Sequence, residues 1–320
     1  MAYPSASRPN NGPDLAPFSG MATVLPRRGV EGFRENGRFY GACQRGEYPF
    51  PYDEDEKERL DIFHKIFCIA RKDVFYNVPI YDQAPRILDL GCGTGIWGID
   101  VADKLPKGEV LGVDLALIQP EYIPENIRFD QMDIEEPWQD MRPGSWDVIH
   151  MRTLCGSIRN WQHLYAEISR HLKPQIGFLE QVEIDWVPRS HDGSVSPNSV
   201  VSQWAEELML ATEKLGRPMR LNSEFIKQRM MAAGLVDFKE EIIMIPLNGW
   251  PSDPHTRELG RWFNLGLKQG IHALTVAPLC RAHNRSPEQV IDLINRVTEE
   301  IHSRQLRGYC NLHIFTARRP

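Results

Sequence analysis

The chain has 320 residues, 42% of them hydrophobic and 25% charged, which fits a folded protein of one large domain or two modest ones and excludes a disordered or fibrous chain. Its 37 Lys and Arg stand against 43 Asp and Glu, a formal charge of -6, so it is no broadly basic nucleic-acid binder and no direct nucleic-acid binding is expected. Apolar runs such as Ile242–Leu247 fall far short of the roughly 20 residues of a membrane span, so no transmembrane segment is expected.

Residues 1–30 scatter Pro4, Pro9, Pro13, Pro17 and Pro26 among Gly, Ser and Asn with no apolar period. Such a composition buries too little surface to offset its ordering entropy, so a disordered N-terminal tail is expected there and one domain over 31–320. No charged-then-apolar leader opens the chain, and a cytoplasmic or nuclear location is expected rather than secretion. The acidic run Asp53–Glu58 leads into Leu60, Phe63, Ile66, Phe67 and Ala70, a single apolar stripe that predicts a helix over 54–71.

Short apolar runs then alternate with helical stretches. Strands are predicted at 86–90, 109–113, 127–129, 146–150 and 176–182, and helices at about 96–104, 160–172 and 200–215. This alternation predicts an α/β fold, a parallel sheet with helices on both faces. Met230–Gly234 reads as a helix end at a glycine cap. Two later strands, 238–247 and 311–317, bracket helical patterns over 257–268 and 287–301. The six cysteines, Cys43, Cys68, Cys92, Cys155, Cys280 and Cys310, form no C-x-x-C pair, which suits reduced thiols, and nothing has metal-ligand spacing, so no metal site is expected.

The segment Ile87-Leu-Asp-Leu-Gly91-Cys-Gly93-Thr-Gly95-Ile-Trp-Gly98 carries the chemistry. A strand runs into three alternating glycines and then a helix, so a ligand can approach the backbone and meet the amides of the helix start. Gly93-x-Gly95-x-x-Gly98 satisfies the dinucleotide fingerprint but leaves Asp89 and Gly91 without a role. Counted from the strand, Asp89-x-Gly91-x-Gly93-x-Gly95 resembles motif I of the class I S-adenosylmethionine (SAM)-dependent methyltransferases.

Asp114, some twenty residues on and followed by Leu115, suits a ribose in either family. Asp133, followed by Ile134, reads either as a loop aspartate capping a helix or as the acid that this family places against the adenine, with the apolar neighbour on the ring. The resemblance implies a Rossmann-like class I methyltransferase fold with a seven-stranded mixed sheet. It puts Asp89 near the methionine amino group of SAM, Asp114 on the ribose and Asp133 at the adenine. Tyr40 is expected to close over the methionine end, and Met151 to face the cofactor from the fourth strand.

Glu35-Asn-Gly-Arg-Phe-Tyr40, Asp61-Ile-Phe-His-Lys65, Leu154-Cys-Gly-Ser157, Gln181-Val-Glu-Ile-Asp185 and Ala277-Pro278, with the glycine turn, make 31–320 similar to the fungal LaeA-like methyltransferases. That group implies a regulator of secondary metabolism and development associated with velvet-domain proteins. It equally admits a pathway enzyme methylating a small secondary metabolite, or a SAM-binding scaffold without turnover.

Methyl transfer from a sulfonium is an in-line displacement that needs little beyond alignment and exclusion of water, so a general base is optional. His150, at the end of the fourth strand, reads either as that base or as a packed, hydrogen-bonded histidine. Arg152 reads as a cofactor-contacting or structural residue. Glu183, Asp185 and Trp186 follow the fifth strand and read as acceptor-binding groups or as turn and salt-bridge residues. His313 is expected to be structural. Helices over 197–217 and 248–307 are expected to form a lid that roofs the acceptor pocket.

Overall fold

The computed structural model describes residues 31–42 and 47–320; the tail expected over 1–30, and Cys43, lie outside the described residues. The first element has no counterpart among the sequence-based expectations. Asn36 and Gly37 both adopt positive φ, 49° and 79°, as a two-residue hairpin turn requires. They join β1 (Gly32–Glu35) to β2 (Arg38–Gly41) in a two-stranded sheet of their own. Helix α1 (Glu54–Ala70) follows, with the Asp53 side chain accepting from Glu56 N–H and three acids in its first turn, where the helix end is positive.

The main sheet takes β3 (Arg86–Leu90), β4 (Glu109–Asp114), β5 (Ile127–Gln131), β6 (Val148–Arg152), β7 (Phe178–Ser190), β8 (Val236–Pro246) and β9 (Gly308–Arg318) in the order β5-β4-β3-β6-β7-β9-β8. The strands from β5 through β7 pair in parallel, and β9 runs antiparallel between β7 and β8. This is the seven-stranded mixed sheet that the resemblance implies.

Helices cover both faces. α2 (Ile96–Lys104) buries Trp97 and Val101 against Ile87, Val110 and Val148. α3 (Trp161–His171) and α5 (Ser223–Ala232) pack on the opposite face over Leu88, Ile149 and Met151. α4 (Val200–Lys214), α6 (Pro254–His283) and α7 (Pro287–His302) bundle with α1 over the β7 end of the sheet, around Phe63, Phe263 and Trp204.

β7 and α6 are the clearest of several elements that run past their expected ends. β7 continues past Val182 through two acids, because Glu183 accepts the N–H groups of Leu154 and Cys155 and Asp185 accepts from Arg189. α6 runs 30 residues without a break, through Pro278, within the helical region expected over 248–307 and beyond its clearest pattern at 257–268. It touches α1, α4 and α7 at once, so its apolar positions do not form one stripe.

Candidate active site

Strand β3 ends at Leu90, and the chain turns through Gly91, Gly93 and Gly95 with φ of 65°, 57° and 77° before entering α2. Asp114, at the end of β4, locks this turn: its Oδ2 accepts from Gly93 N–H at 2.8 Å and its Oδ1 from Ala116 N–H at 3.2 Å. Burial pushes the Asp114 carboxyl up, and the backbone N–H groups of Gly93, Ala116 and Leu115 oppose that.

Above the turn lies one cleft with two lobes, at the carboxyl ends of the parallel strands where such sheets bind ligands. The first lobe is lined by Gly91, Asp114, Leu115, Asp133 and Ile134, with Met132 and Ile158 on its apolar side. The second, the larger, is lined by Gly93, Arg152, Glu183 and Trp186 beneath Tyr48, Phe50, Tyr52 and Leu60. Tyr48, Gly91, Asp114, Leu154 and Ser157 border both lobes, so the two adjoin.

Nine of the sequence-read candidates therefore line the cleft: Gly91, Gly93, Asp114, Leu115, Asp133 and Ile134, with Arg152, Glu183 and Trp186 in the second lobe. Gly95 stands outside it, capping α2 with a ring edge of Phe129 where a Cβ would be. Asp89 is buried below the turn, its Oδ1 3.0 Å from His150 Nδ1, and does not line the cleft. Met151 points into the core beneath α3. Tyr40 is buried in the hairpin under the Arg281 guanidinium, 4.9 Å from its ring centre. His150, the candidate base, is wholly buried and faces Trp97 rather than the cleft.

The roof differs from expectation as well. Helices α4 and α7 line neither lobe and α6 contributes only Leu274. The cover comes instead from Tyr48–Leu60, a segment in which Tyr48-Pro-Phe-Pro-Tyr52 alternates aromatics with prolines, a signal the composition of that stretch offers to a closer reading. Arg38 holds this segment through a bidentate pair with Asp53 at 2.6 and 2.7 Å, and Arg281 donates to the Tyr48 carbonyl at 3.2 Å.

A family model described as a methyltransferase domain matches residues 52–239. The secondary metabolism regulator LAE1 of Cochliobolus heterostrophus is 45% identical over 293 residues, covering 90% of this chain and 95% of that protein. The secondary metabolism regulator laeA of Aspergillus flavus is 41% identical over 289 residues, covering 90% of this chain and 78% of that protein. The chain belongs to the LaeA-like methyltransferases. Among solved structures, a Haemonchus contortus phosphoethanolamine N-methyltransferase 2, in complex with phosphomonomethylethanolamine and S-adenosylhomocysteine, shares the fold with a TM-score of 0.50 at 17% identity, covering 83% of this chain and 58% of that one.

The cleft of this LaeA-like methyltransferase fits SAM. Gly91 and Gly93 offer bare backbone: a Cβ at Gly91 would stand 2.6 Å from Leu154 Cδ2, and one at Gly93 3.1 Å from Leu60 Cδ1. Asp114 retains carboxylate lone pairs that would suit a ribose diol, and Asp133 with Ile134 lines the first lobe, as the sequence resemblance expects of an adenine site. When bound, SAM supplies an electrophilic methyl group on sulfur. With SAM there, Gly91, Gly93 and Asp114 would hold it, Tyr48 and Tyr52 would roof it against water, and the second lobe would align an acceptor.

His64, Cys68 and Asp100 bring three donor atoms within 4.8 Å of one another nearby. Arg152 donates to His64 Nδ1 at 3.2 Å, so the ring proton sits on Nε2 and goes to Asp100 at 2.9 Å. In that tautomer the imidazole offers no lone pair to a cation.

Glu183 is the buried acid of the acceptor lobe. It accepts from Leu154 N–H at 3.1 Å, Cys155 N–H at 3.3 Å and the Gln181 amide at 3.1 Å. These bonds brace a loop in which Thr153, a β-branched residue, is held at φ 50° beside the cleft. Burial pushes the Glu183 carboxyl up from 4.5 to about 7. Between those values the folded chain keeps a proton that the unfolded chain has released, so stability falls as pH rises through that window and the whole penalty is present above it. A shift of this size is worth about 3 kcal/mol. Denaturant titrations at about pH 5 and pH 8 are expected to show a smaller loss in Glu183→Gln than in the parent; equal losses in the two proteins overturn the assignment.

Proposed function

We propose that this chain is a SAM-dependent methyltransferase that regulates fungal secondary metabolism and development, working with velvet-type protein partners in the nucleus, the cytoplasm or both. The regulatory role follows the names of relatives at 40–45% identity over about nine-tenths of the chain. Turnover is supported by one observation above the others: the lobe that fits the cofactor adjoins a second, across shared walls, lined by a buried acid, aromatics and Arg152. A scaffold that bound SAM for stability alone has no physical use for that second lobe. No helix among the described residues is long and apolar enough to cross a membrane.

The aromatic roof over the second lobe favours a second reading, methylation of a small secondary metabolite. One experiment separates the readings. Methyl-labelled SAM is incubated with the protein and a fungal cell extract, and macromolecules are parted from small molecules. Label in the protein fraction is the result expected of the regulator. Label confined to small molecules moves the function to the pathway reading. Label in neither, with SAM binding measured in parallel, overturns turnover and leaves the scaffold.

A further inference from the structure

A row of buried polar side chains crosses the sheet beneath the glycine turn without reaching the cleft. Asp89, His150 and Glu180 occupy matched register positions on β3, β6 and β7, so they share one face of the sheet. His150 Nδ1 lies 3.0 Å from Asp89 Oδ1, and its Nε2 lies 3.9 Å from Glu180 Oε1. Glu180 accepts from Arg71 at 2.9 Å and from Asn77 N–H at 2.5 Å.

The charges balance. The two carboxylates, Asp89 and Glu180, are matched by two guanidiniums, Arg71 and Arg152. Burial and those guanidiniums hold the imidazole well below its ordinary range, so it is neutral. With Asp89 ionised, the ring proton sits on Nδ1 and is donated to the carboxylate.

The ring is gripped from its face as well. Trp97 stacks on it at 3.5 Å between ring centres, with the planes 8° apart. Trp97 belongs to the first turn of α2, and its indole N–H donates at 3.0 Å to the Phe75 carbonyl, which also accepts from Arg71 at 3.1 Å. The second oxygen of Asp89 lies under the same turn, 3.8 Å from where a Cβ at Gly98 would stand. One imidazole thus joins the strand before the glycine turn to the helix after it. Apolar residues of equal size would fill the site without the desolvation of four charges, but they would not fix a direction.

We propose that His150 is a positioning residue for SAM. By donating to Asp89 and stacking on Trp97 it presets the strand end and the first turn of α2, and so the backbone of Gly91–Gly95 that meets the cofactor. This rests on the reading of the cleft as the SAM site. It gives the buried histidine a role that acts through Asp89, in place of general-base chemistry.

The wild-type chain, carrying ¹⁵N-labelled histidine, tests it first. At about pH 8, above the value of about 7 to which burial pushes Asp89, NMR is expected to show His150 as the neutral Nδ1–H tautomer. Saturating SAM is expected to shift its ring resonances although no atom of it lines the cleft. Calorimetry then measures SAM affinity in variants, with apo melting temperatures recorded alongside. His150→Phe keeps the stack and removes the donor, and is expected to weaken binding about tenfold. His150→Asn restores a donor where Nδ1 stood and recovers affinity to within about threefold. Asp89→Asn/His150→Phe binds no more weakly than the weaker single variant, because both changes break one contact.

A merely structural histidine lowers melting temperatures and leaves the affinity of the folded protein alone. That pattern, an Nε2–H tautomer, or ring resonances indifferent to SAM overturns the inference, and the NMR arm decides even where His150→Phe does not fold. A wild-type chain that binds no SAM overturns the reading of the cleft instead.

Discussion

Gly91→Glu is expected to abolish SAM binding and to leave a folded chain. Position 91 has φ 65°, and a Cβ there would meet the flexible end of Leu154 at 2.6 Å. The left-handed conformation costs a non-glycine residue about 1–2 kcal/mol, and Leu154 gives way by rotating, so the loss of stability is small beside that of a typical domain. Binding suffers far more. Gly91 borders both lobes, so a glutamate side chain occupies the junction through which SAM would lie and sets a second carboxylate beside the half-buried Asp114. Calorimetry is expected to show affinity reduced at least about 1000-fold, the sum of steric exclusion and desolvation. In thermal melts, SAM at about 100 times its dissociation constant stabilises the parent by about 2.7 kcal/mol and the variant by nothing measurable. Binding within about tenfold of the parent would remove the glycine turn from the cofactor site.

How far the sequence reaches is clearest where neighbouring residues are compared. Asp114 and Asp133 were legible because each follows a short apolar strand, and the fold brings strand ends together at one rim. Asp89 and His150 were legible as polar residues at strand ends but not as a pair. Their meeting depends on β3 lying beside β6, a pairing of strands 61 positions apart that no local pattern encodes.

Met151 follows from the same geometry. Successive residues of a strand face opposite ways, so once His150 faces α2, Met151 must enter the core under α3. The roof was illegible for another reason. Tyr48, Phe50 and Tyr52 recur with the two-residue period of a strand, but the prolines between them cannot donate to a ladder, and what holds the stretch over the cleft is contact from elsewhere: the Arg38–Asp53 pair, Tyr52 N–H to the Phe39 carbonyl, and Arg281 reaching across from α6. Periodicity reports elements that bury a face, and it is silent on where a proline-broken segment is anchored.

Arg71→Met is expected to destabilise the fold by about 3–5 kcal/mol, the range for removing one partner of a buried ion pair. Arg71 sits at the end of α1 and donates to the Phe75 carbonyl at 3.1 Å, to Asn77 Oδ1 at 3.0 Å and to Glu180 at 2.9 Å, while Glu180 is 0% exposed. Without the guanidinium, Glu180 keeps the Asn77 N–H but loses the charge that offsets its burial. Burial already pushes the Glu180 carboxyl up and Arg71 opposes it, so the variant binds a proton at a higher pH than the parent. The penalty therefore grows as pH rises and is smallest in acid, where Glu180 is neutral in folded and unfolded chains alike.

Glu180→Leu alone leaves Arg71 as the unpaired charge and is expected to cost a similar amount. The pair of changes Arg71→Met and Glu180→Leu removes both charges and fills the space with apolar atoms, so it is expected to recover most of the loss. Urea titrations of the four proteins measure this directly through a coupling energy of about 3 kcal/mol. Single losses below about 1 kcal/mol, or losses that simply add in the double variant, would show that the two side chains do not depend on each other. The position of α1, which carries Leu60 into the wall of the cleft, would then have to be set by its apolar face and by its other polar contacts, such as His64 with Asp100.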